Sequence, residues 1–206
     1  MDIVFVIELV GTVAFALSGA LVAIENKYDL FGVAVLASTT ATGGGIMRDI
    51  ILGNTPPTAF QKPIYIFVAI LTAIGAFLYA KYFRHQGKMN QKKFDALFYL
   101  FDAVGLGLFT VTSMNNALLV QSNGFLCVFV GMLAGIGGGI LRDILAQRKP
   151  VVLRKYIYAM AALVGAIFYF FLLQAMDREI AMLLAAGIIV CIRLLSIRYG
   201  WNLPTA

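Results

Sequence analysis

Charged residues are scarce in this chain: they make up 13% of its 206 residues, whereas hydrophobic residues make up 61%. A water-soluble domain usually carries about 25% charged residues. This shortage excludes an ordinary soluble fold, because too few polar groups remain to cover a water-facing surface. Together with a mean hydropathy of +0.90, it predicts a membrane protein.

Histidine and cysteine are also nearly absent. The one histidine, His85, lies in a basic segment, and both cysteines, Cys127 and Cys191, lie inside apolar runs. A disulfide framework or a metal site needs more ligands close together, so we expect both cysteines to be small buried hydrophobic residues. No serine or cysteine in the apolar segments has a candidate general base beside it, which argues against an intramembrane enzyme. We therefore expect no catalytic residue, metal or cofactor.

Seven apolar segments are long enough to cross a bilayer, which takes about 20 helical residues. They are residues 3–24, 30–52, 64–83, 96–120, 125–146, 156–174 and 180–197. The N-terminal segment contains acidic residues and lacks the basic start of a secretory signal, so we expect no cleavable signal peptide. The sequence predicts an all-α integral membrane protein of seven transmembrane helices in a single domain, residues 1–206.

Lysine and arginine are unevenly distributed over the connecting segments. Of 16 such residues, three fall on the side of the N-terminus and the remainder on the other side. Since the excess of positive charge marks the cytoplasmic side, we predict an N-terminus outside and a C-terminus in the cytoplasm of a bacterial inner membrane. The net charge of +6 then faces anionic membrane lipid, and we expect no nucleic-acid partner.

One motif occurs twice. The sequence GGGIMRDI at 43–50 recurs as GGGILRDI at 137–144, at an offset of 94 residues. The same offset pairs Gly11 with Gly105 and Phe15 with Phe109, among other positions. A chance coincidence of this extent is improbable, so the chain is predicted to contain an internal duplication.

The two predicted repeats cover residues 1–84 and 94–175, and an extra helix follows at 180–198. Each repeat holds three helices, which is an odd number, so the second repeat must enter the membrane from the opposite side. Inverted repeats of this kind recur in transporters, where the solute path lies at the repeat interface.

The triple glycines are costly inside a membrane helix, because each glycine weakens a helix by about 1 kcal/mol relative to alanine. Backbone groups freed by a break must find partners away from lipid. We therefore predict that the second and fifth transmembrane helices are kinked and that their exposed carbonyl groups line a solute path. The alternative is close helix packing, which small residues permit. The glycines concerned are Gly43, Gly44, Gly45, Gly137, Gly138 and Gly139.

Charged residues follow both glycine segments: Arg48, Asp49, Arg142 and Asp143. Glu8 in the first helix matches Arg48 in depth, and Asp102 in the fourth helix matches Arg142. Because an isolated charge in a membrane is expensive, we predict a Glu8–Arg48 pair and an Asp102–Arg142 pair that flank the path. The alternatives are structural bracing by these pairs and arginine side chains that extend to the headgroups.

A polar run precedes the first triple glycine. Its hydroxyl groups on Ser38, Thr39 and Thr42 can replace part of a cation's water shell or bind an amino-acid headgroup. The alternative is that these hydroxyls bond back to carbonyl groups of their own helix.

The doubled GGGxxRD motif at 43–49 and 137–143, in a seven-helix chain, resembles the prokaryotic TRIC (trimeric intracellular cation) channel family. That family overlaps a bacterial group of glycine transporter domain proteins. The resemblance implies a homotrimer with one pore in each protomer, lined by the kinked second and fifth helices. It also implies permeation of potassium and other monovalent cations.

Two functions remain open from the residues. A cation channel suits a wet path with paired charges and weak, repeated ion binding. A secondary carrier for glycine or a similar small amino acid suits inverted repeats with opposed helix ends. A purely structural membrane module does not explain the repeated polar motif.

Overall fold

A computed structural model of the chain describes residues 3–85, 91–120, 123–153 and 157–202. These residues form helices joined by short turns. The α-helices are α1 (Ile3–Glu25), α2 (Leu30–Ile51), α3 (Thr58–Gln61), α4 (Ile64–His85), α5 (Gln91–Val120), α6 (Gly124–Leu145), α7 (Tyr158–Leu172) and α8 (Arg178–Tyr199). A 3-10 turn, Val151–Leu153, precedes α7.

Six of the predicted spans are helices that are long and apolar enough to cross a membrane: α1, α2, α4, α5, α6 and α8. The protein is therefore a multi-pass membrane protein. The span predicted at 156–174 corresponds to α7, which has 15 residues and is shorter than the roughly 20 that a crossing requires. Tyr156, where that span was expected to begin, lies outside the described residues. Helix α5 begins at Gln91, five residues earlier than predicted.

The helices pack as two similar groups. In the first group α1, α2 and α4 contact one another, and in the second group α5, α6 and α7 do so. The groups join through α1 against α5 and through α2 against α6. Helix α8 packs against α5 and α7 and so belongs to the second group. The division into two three-helix repeats and an additional helix stays a prediction, as does the inverted relation of the repeats.

The aspartates of the repeated motif determine where the chain turns after α2 and α6. Asp49 Oδ2 accepts a hydrogen bond from the backbone N–H of Thr58, with 2.7 Å between the atoms. Asp143 Oδ2 accepts the same bond from the N–H of Val151 at 2.9 Å. The motif therefore fixes the start of the short helix α3 in one repeat and of the 3-10 turn in the other.

The predicted glycine kinks are not confirmed. Helix α2 is continuous through Gly43–Gly45, and α6 is continuous through Gly137–Gly139, so neither segment is an interruption with free carbonyl groups. The alternative, close packing, describes the middle glycine of each copy. A Cβ atom on Gly44 would collide with the carbonyl oxygen of Ala134, and one on Gly138 with that of Thr40. The helices cross with backbone against backbone, and this contact offsets the poor helix propensity of glycine.

The outward face of the helices is apolar, as lipid requires. Phe67 and Leu71 of α4 and Leu183 of α8 are among its exposed side chains. Cys127 is buried, as expected, but Cys191 is exposed on α8, so the prediction that both cysteines are buried is wrong for Cys191. Its position on an outward helix face explains the difference.

Candidate functional site: two charged tetrads

Four residues form what we call the first tetrad: Glu8, Arg48, Asp49 and Tyr65. Arg48 Nη1 lies 3.4 Å from Glu8 Oε1, so the predicted ion pair is confirmed. Arg48 Nε also donates a hydrogen bond to Asp49 Oδ1 at 2.8 Å. The Tyr65 hydroxyl donates to Glu8 Oε2. One guanidinium group is thereby held between two carboxylates, and a tyrosine fixes one of them.

The second tetrad consists of Asp102, Arg142, Asp143 and Tyr158. Arg142 Nη1 lies 2.5 Å from Asp102 Oδ1, which confirms the second predicted pair. Arg142 Nε donates to Asp143 Oδ1 at 2.9 Å, and the Tyr158 hydroxyl donates to Asp102 Oδ1 at 3.2 Å. Each repeat therefore builds the same constellation of acid, arginine, aspartate and tyrosine.

The tyrosines were missed from the sequence. Tyr65 and Tyr158 lie 93 residues apart, not 94, because Tyr65 is the second residue of α4 whereas Tyr158 is the first residue of α7. A comparison at a fixed offset cannot align them. A tyrosine near the start of the third long helix of each repeat was the signal that could have found them.

The first tetrad lies beside space that water can enter. A cavity of about 30 Å³ is lined by Thr12, Thr42, Gly45, Phe109 and the tetrad residues, among others. That volume accommodates about two water molecules. A larger cavity of about 530 Å³ shares Glu8, Arg48 and Asp49 in its wall and also contacts Asn116, which donates to Glu8 Oε1 at 3.1 Å. The Glu8 side chain is 13% exposed.

The second tetrad is sealed. Asp102 is 1% exposed and Arg142 is fully buried. The ring centroid of Phe98 lies 4.8 Å from Arg142 Cζ, and Ser18 Oγ accepts a hydrogen bond from Arg142 Nη1 at 2.5 Å. An acid, an arginine, an aspartate and a tyrosine thus form a site beside a cavity in one repeat and an enclosed site in the other.

The last glycine of each copy differs in its surroundings: Gly45 lies beside open space, whereas Gly139 is closely packed. At Gly45 the atoms nearest to an added Cβ are 4.0 Å away, and Gly45 lines the small cavity. At Gly139 the Tyr158 hydroxyl would lie 2.8 Å from that Cβ. Gly43 and Gly137 pack against the side chains of Leu141 and Met47, respectively. Of the six glycines, Gly45 is therefore the one placed at the cavity.

One hydroxyl group of the run at 38–42 bonds back to a carbonyl group of its own helix, as the alternative prediction stated. Thr42 Oγ1 donates to the carbonyl oxygen of Ser38 at 2.8 Å, although Thr42 also lines the small cavity. Ser38 Oγ is buried and has no hydrogen-bond partner in the part of the chain that the structure describes. Thr39 is partly exposed. Thr12, which also lines the cavity, was not among the predicted residues.

Known proteins resemble this multi-pass helical bundle in sequence and in fold. The sequence model of the glycine transporter family matches residues 5–81 and 99–174. The two matched segments begin 94 residues apart, which is the offset of the repeated motif.

Relatives span the chain over most of its length. The inner membrane protein YadS of Escherichia coli (strain K12) is 34% identical over 208 residues, covering 98% of this chain and 96% of the relative. A membrane protein of Deinococcus radiodurans is 40% identical over 162 residues, covering 78% and 72% of the two chains.

Solved structures extend the likeness to the fold. The trimeric intracellular cation channel orthologue from Rhodobacter sphaeroides is 31% identical, with a TM-score of 0.88 over 98% of this chain and 100% of that one. A prokaryotic TRIC channel in 0.5 M KCl is 30% identical, with a TM-score of 0.89 over 98% of both chains. The chain belongs to the family that unites the glycine transporter domain proteins and the prokaryotic TRIC channels, as its doubled motif predicted.

Proposed function

We propose that this protein is a potassium-permeable channel for monovalent cations, with a pathway in each protomer of a homotrimer. The observation that carries the proposal is the cavity at the first tetrad, because it brings water-sized space to Glu8 and Arg48 inside a membrane-spanning bundle. The likeness to prokaryotic TRIC channels, whose structures are described as those of cation channels, supports the same function.

The chemistry of the cavity suits a small cation that keeps part of its water. Glu8 and Asp49 supply carboxylate oxygens, and Thr12 and Thr42 supply hydroxyl groups. Because Arg48 neutralises much of the acidic charge, binding stays weak enough for an ion to leave again, as conduction requires. We retain Ser38, Thr39 and Thr42 as candidates for the polar lining further along the path.

The path continues from the cavity towards the second tetrad. Phe109 forms part of the cavity wall, and the crossing of α2 and α6 at Gly44 and Gly138 lies nearby. We propose that conduction needs a different arrangement of α2 and α6 at this crossing. Gly44 and Gly138 meet backbone atoms of the opposite helix, so the side chains that must shift with the movement are those of Leu141 and Met47, which pack on the neighbouring glycines.

We further propose an N-terminus outside and a C-terminus in the cytoplasm. The uneven lysine and arginine distribution supports this orientation, and the basic side then contacts anionic lipid. The Escherichia coli relative is an inner membrane protein, and we place this chain in the same membrane of its cell.

A reconstitution experiment tests the proposal. Purified protein in planar bilayers is expected to give discrete current steps in KCl and NaCl and none with N-methyl-D-glucamine as the cation. Glu8→Gln is expected to lower the potassium current. Glu179→Gln, an exposed acid at the start of α8, is the matched control and is expected to leave the current unchanged.

The carrier alternative has its own outcome in the same preparation. The description of the family as glycine transporters keeps glycine as the competing solute. Saturable, sodium- or proton-coupled glycine uptake into liposomes, without current steps in bilayers, would contradict the channel and establish the carrier.

A further inference from the structure

A fifth side chain, that of the charged residue Arg193, contacts the second tetrad. Arg193 of α8 points its guanidinium group at Asp102, with 3.6 Å between Nη2 and Oδ2. Arg193 Cζ lies 4.3 Å from the centroid of the Tyr158 ring. The side chain is fully buried, so a second arginine is enclosed in the site together with Arg142.

This arginine comes from outside the repeats. Helix α8 follows the second three-helix group and packs against α5 and α7 of that group. Within residues 3–85, 91–120, 123–153 and 157–202, Glu8, which takes the place of Asp102 in the first tetrad, is paired with Arg48 alone. The duplication therefore explains Arg142 but not Arg193.

The additional arginine changes the charge balance. The first tetrad holds two carboxylates and one guanidinium group, which leaves one negative charge in excess beside the cavity. The second tetrad together with Arg193 holds two carboxylates and two guanidinium groups and is neutral. Lys62 lines the larger cavity but is exposed, so solvent screens its charge from Glu8.

The contact between Arg193 and Asp102 is built to be separable. At 3.6 Å it is longer than a hydrogen bond. Asp102 Oδ2 accepts no hydrogen bond from any part of the chain that the structure describes, although it is buried. A carboxylate oxygen without a donor, facing a positive group, is a position that a small cation could take.

We infer that Arg193 is a tethered cation that occupies a monovalent-cation site on Asp102, and that withdrawal of its guanidinium group admits a permeating ion there. This inference rests on the proposed channel function. It makes α8 the element that closes the second half of the path, while the first half stays open to solvent at Glu8.

Charge-balanced variants test the inference. Arg193→Met leaves the second tetrad with one negative charge in excess. Potassium flux into liposomes is expected to rise about tenfold or more, because the variant no longer has to break the buried Arg193–Asp102 pair before an ion can enter. Breaking a buried pair costs more than the roughly 1.4 kcal/mol that corresponds to a tenfold change. Arg193→Met combined with Asp102→Asn restores neutrality, and the flux is expected to return to the level of the unmodified protein. Arg198→Met makes the same chemical change at an exposed position of α8 and is expected to have no effect.

The double variant separates charge from packing. If both Arg193→Met and its combination with Asp102→Asn raise the flux equally, the opening comes from lost packing and the inference is overturned. It is also overturned if the unmodified protein conducts and Arg193→Met does not increase the flux. Asp102→Asn alone leaves one positive charge in excess, and the flux is expected to fall; this arm does not depend on the folding of an Arg193 variant.

A binding measurement keeps the inference distinct from channel function. In detergent, replacing N-methyl-D-glucamine with potassium is expected to raise the melting temperature of Arg193→Met more than that of the unmodified protein or of the double variant. An equal rise in all three proteins overturns the site at Asp102. If no protein conducts but this selective stabilisation is present, the proposed channel function fails while the cation site stands.

Discussion

Phe15 and Phe109 hold matching positions in the two repeats, and their rings stack on each other with centroids 5.2 Å apart. Each ring also covers the glycine of the other repeat: Phe109 lies over Gly11, and Phe15 lies over Gly105. In a twofold arrangement, a residue meets its own counterpart only near the axis. On the predicted inverted relation of the repeats, this contact places the pseudo-twofold axis between the two rings, and Gly44 against Gly138 marks it a second time.

The aromatic pair gives the first prediction. Phe15→Ala and Phe109→Ala are each expected to lower the free energy of unfolding by about 3–5 kcal/mol, the usual cost of emptying a phenylalanine site. The double variant is expected to cost less than the two single costs together, by about 0.5–1.5 kcal/mol of ring–ring interaction. Detergent unfolding measures all three. Phe67→Ala, on the exposed face of α4, is the control with little loss. Strict additivity would contradict a direct stack.

Neighbouring glycines give the second prediction. Gly44→Ala is expected to destabilise the protein by about 1–3 kcal/mol, because its Cβ meets backbone atoms of α6 that cannot move aside. Gly45→Ala is expected to be neutral or stabilising by up to about 1 kcal/mol, since space is available and alanine favours a helix. Melting temperatures in detergent distinguish the two. Equal losses would show that helix kinking, not packing, is what both glycines supply.

The ion pairs give the third prediction. Arg142→Met leaves two buried carboxylates and is expected to cost about 3–5 kcal/mol. Arg48→Met is expected to cost less, because water in the adjacent cavity can solvate Glu8. Arg148→Met breaks an exposed pair with Glu25 and is the control, with an expected cost of at most about 1 kcal/mol. If Arg48→Met lowers the free energy of unfolding as much as Arg142→Met does, this would argue against solvent access to the first tetrad.

Two threonines of α2 give the fourth prediction. Thr42→Val removes a hydroxyl from the cavity wall and is expected to reduce potassium conductance about two- to tenfold, the equivalent of about 0.5–1.5 kcal/mol for one polar contact. Thr40→Val is the matched control: its hydroxyl bonds back to Leu36 in the same way, but Thr40 is fully buried and outside the cavity. Single-channel recordings compare the two. Equal conductance in both variants would remove Thr42 from the lining.

The pairs Glu8–Arg48 and Asp102–Arg142 could be predicted from two facts. The position of each residue along its helix gives its depth in the membrane, and the cost of an unpaired charge there requires opposite charges at the same depth to pair. Whether the triple glycines break their helix or allow a close helix crossing could not be predicted, because the outcome depends on which helix packs against them. Gly44 faces Ala134 and Gly138 only in the folded bundle.

Arg193 lay beyond the reach of reasoning from the duplication. It has no counterpart at an offset of 94, since it belongs to the helix that follows the second repeat. Its side chain is one of several arginines near the end of an apolar span, and only the packing of α8 against α5 brings it to Asp102.

Asp49 holds Arg48 with one carboxylate oxygen and the first N–H of α3 with the other. A shift of the guanidinium group inside the bundle is therefore transmitted to the first peptide of α3, in the connection between α2 and α4. The affinity of a lipid headgroup or a soluble factor that binds α3 would then depend on the position of the arginine. By reciprocity, its binding would favour one position of the arginine over the other.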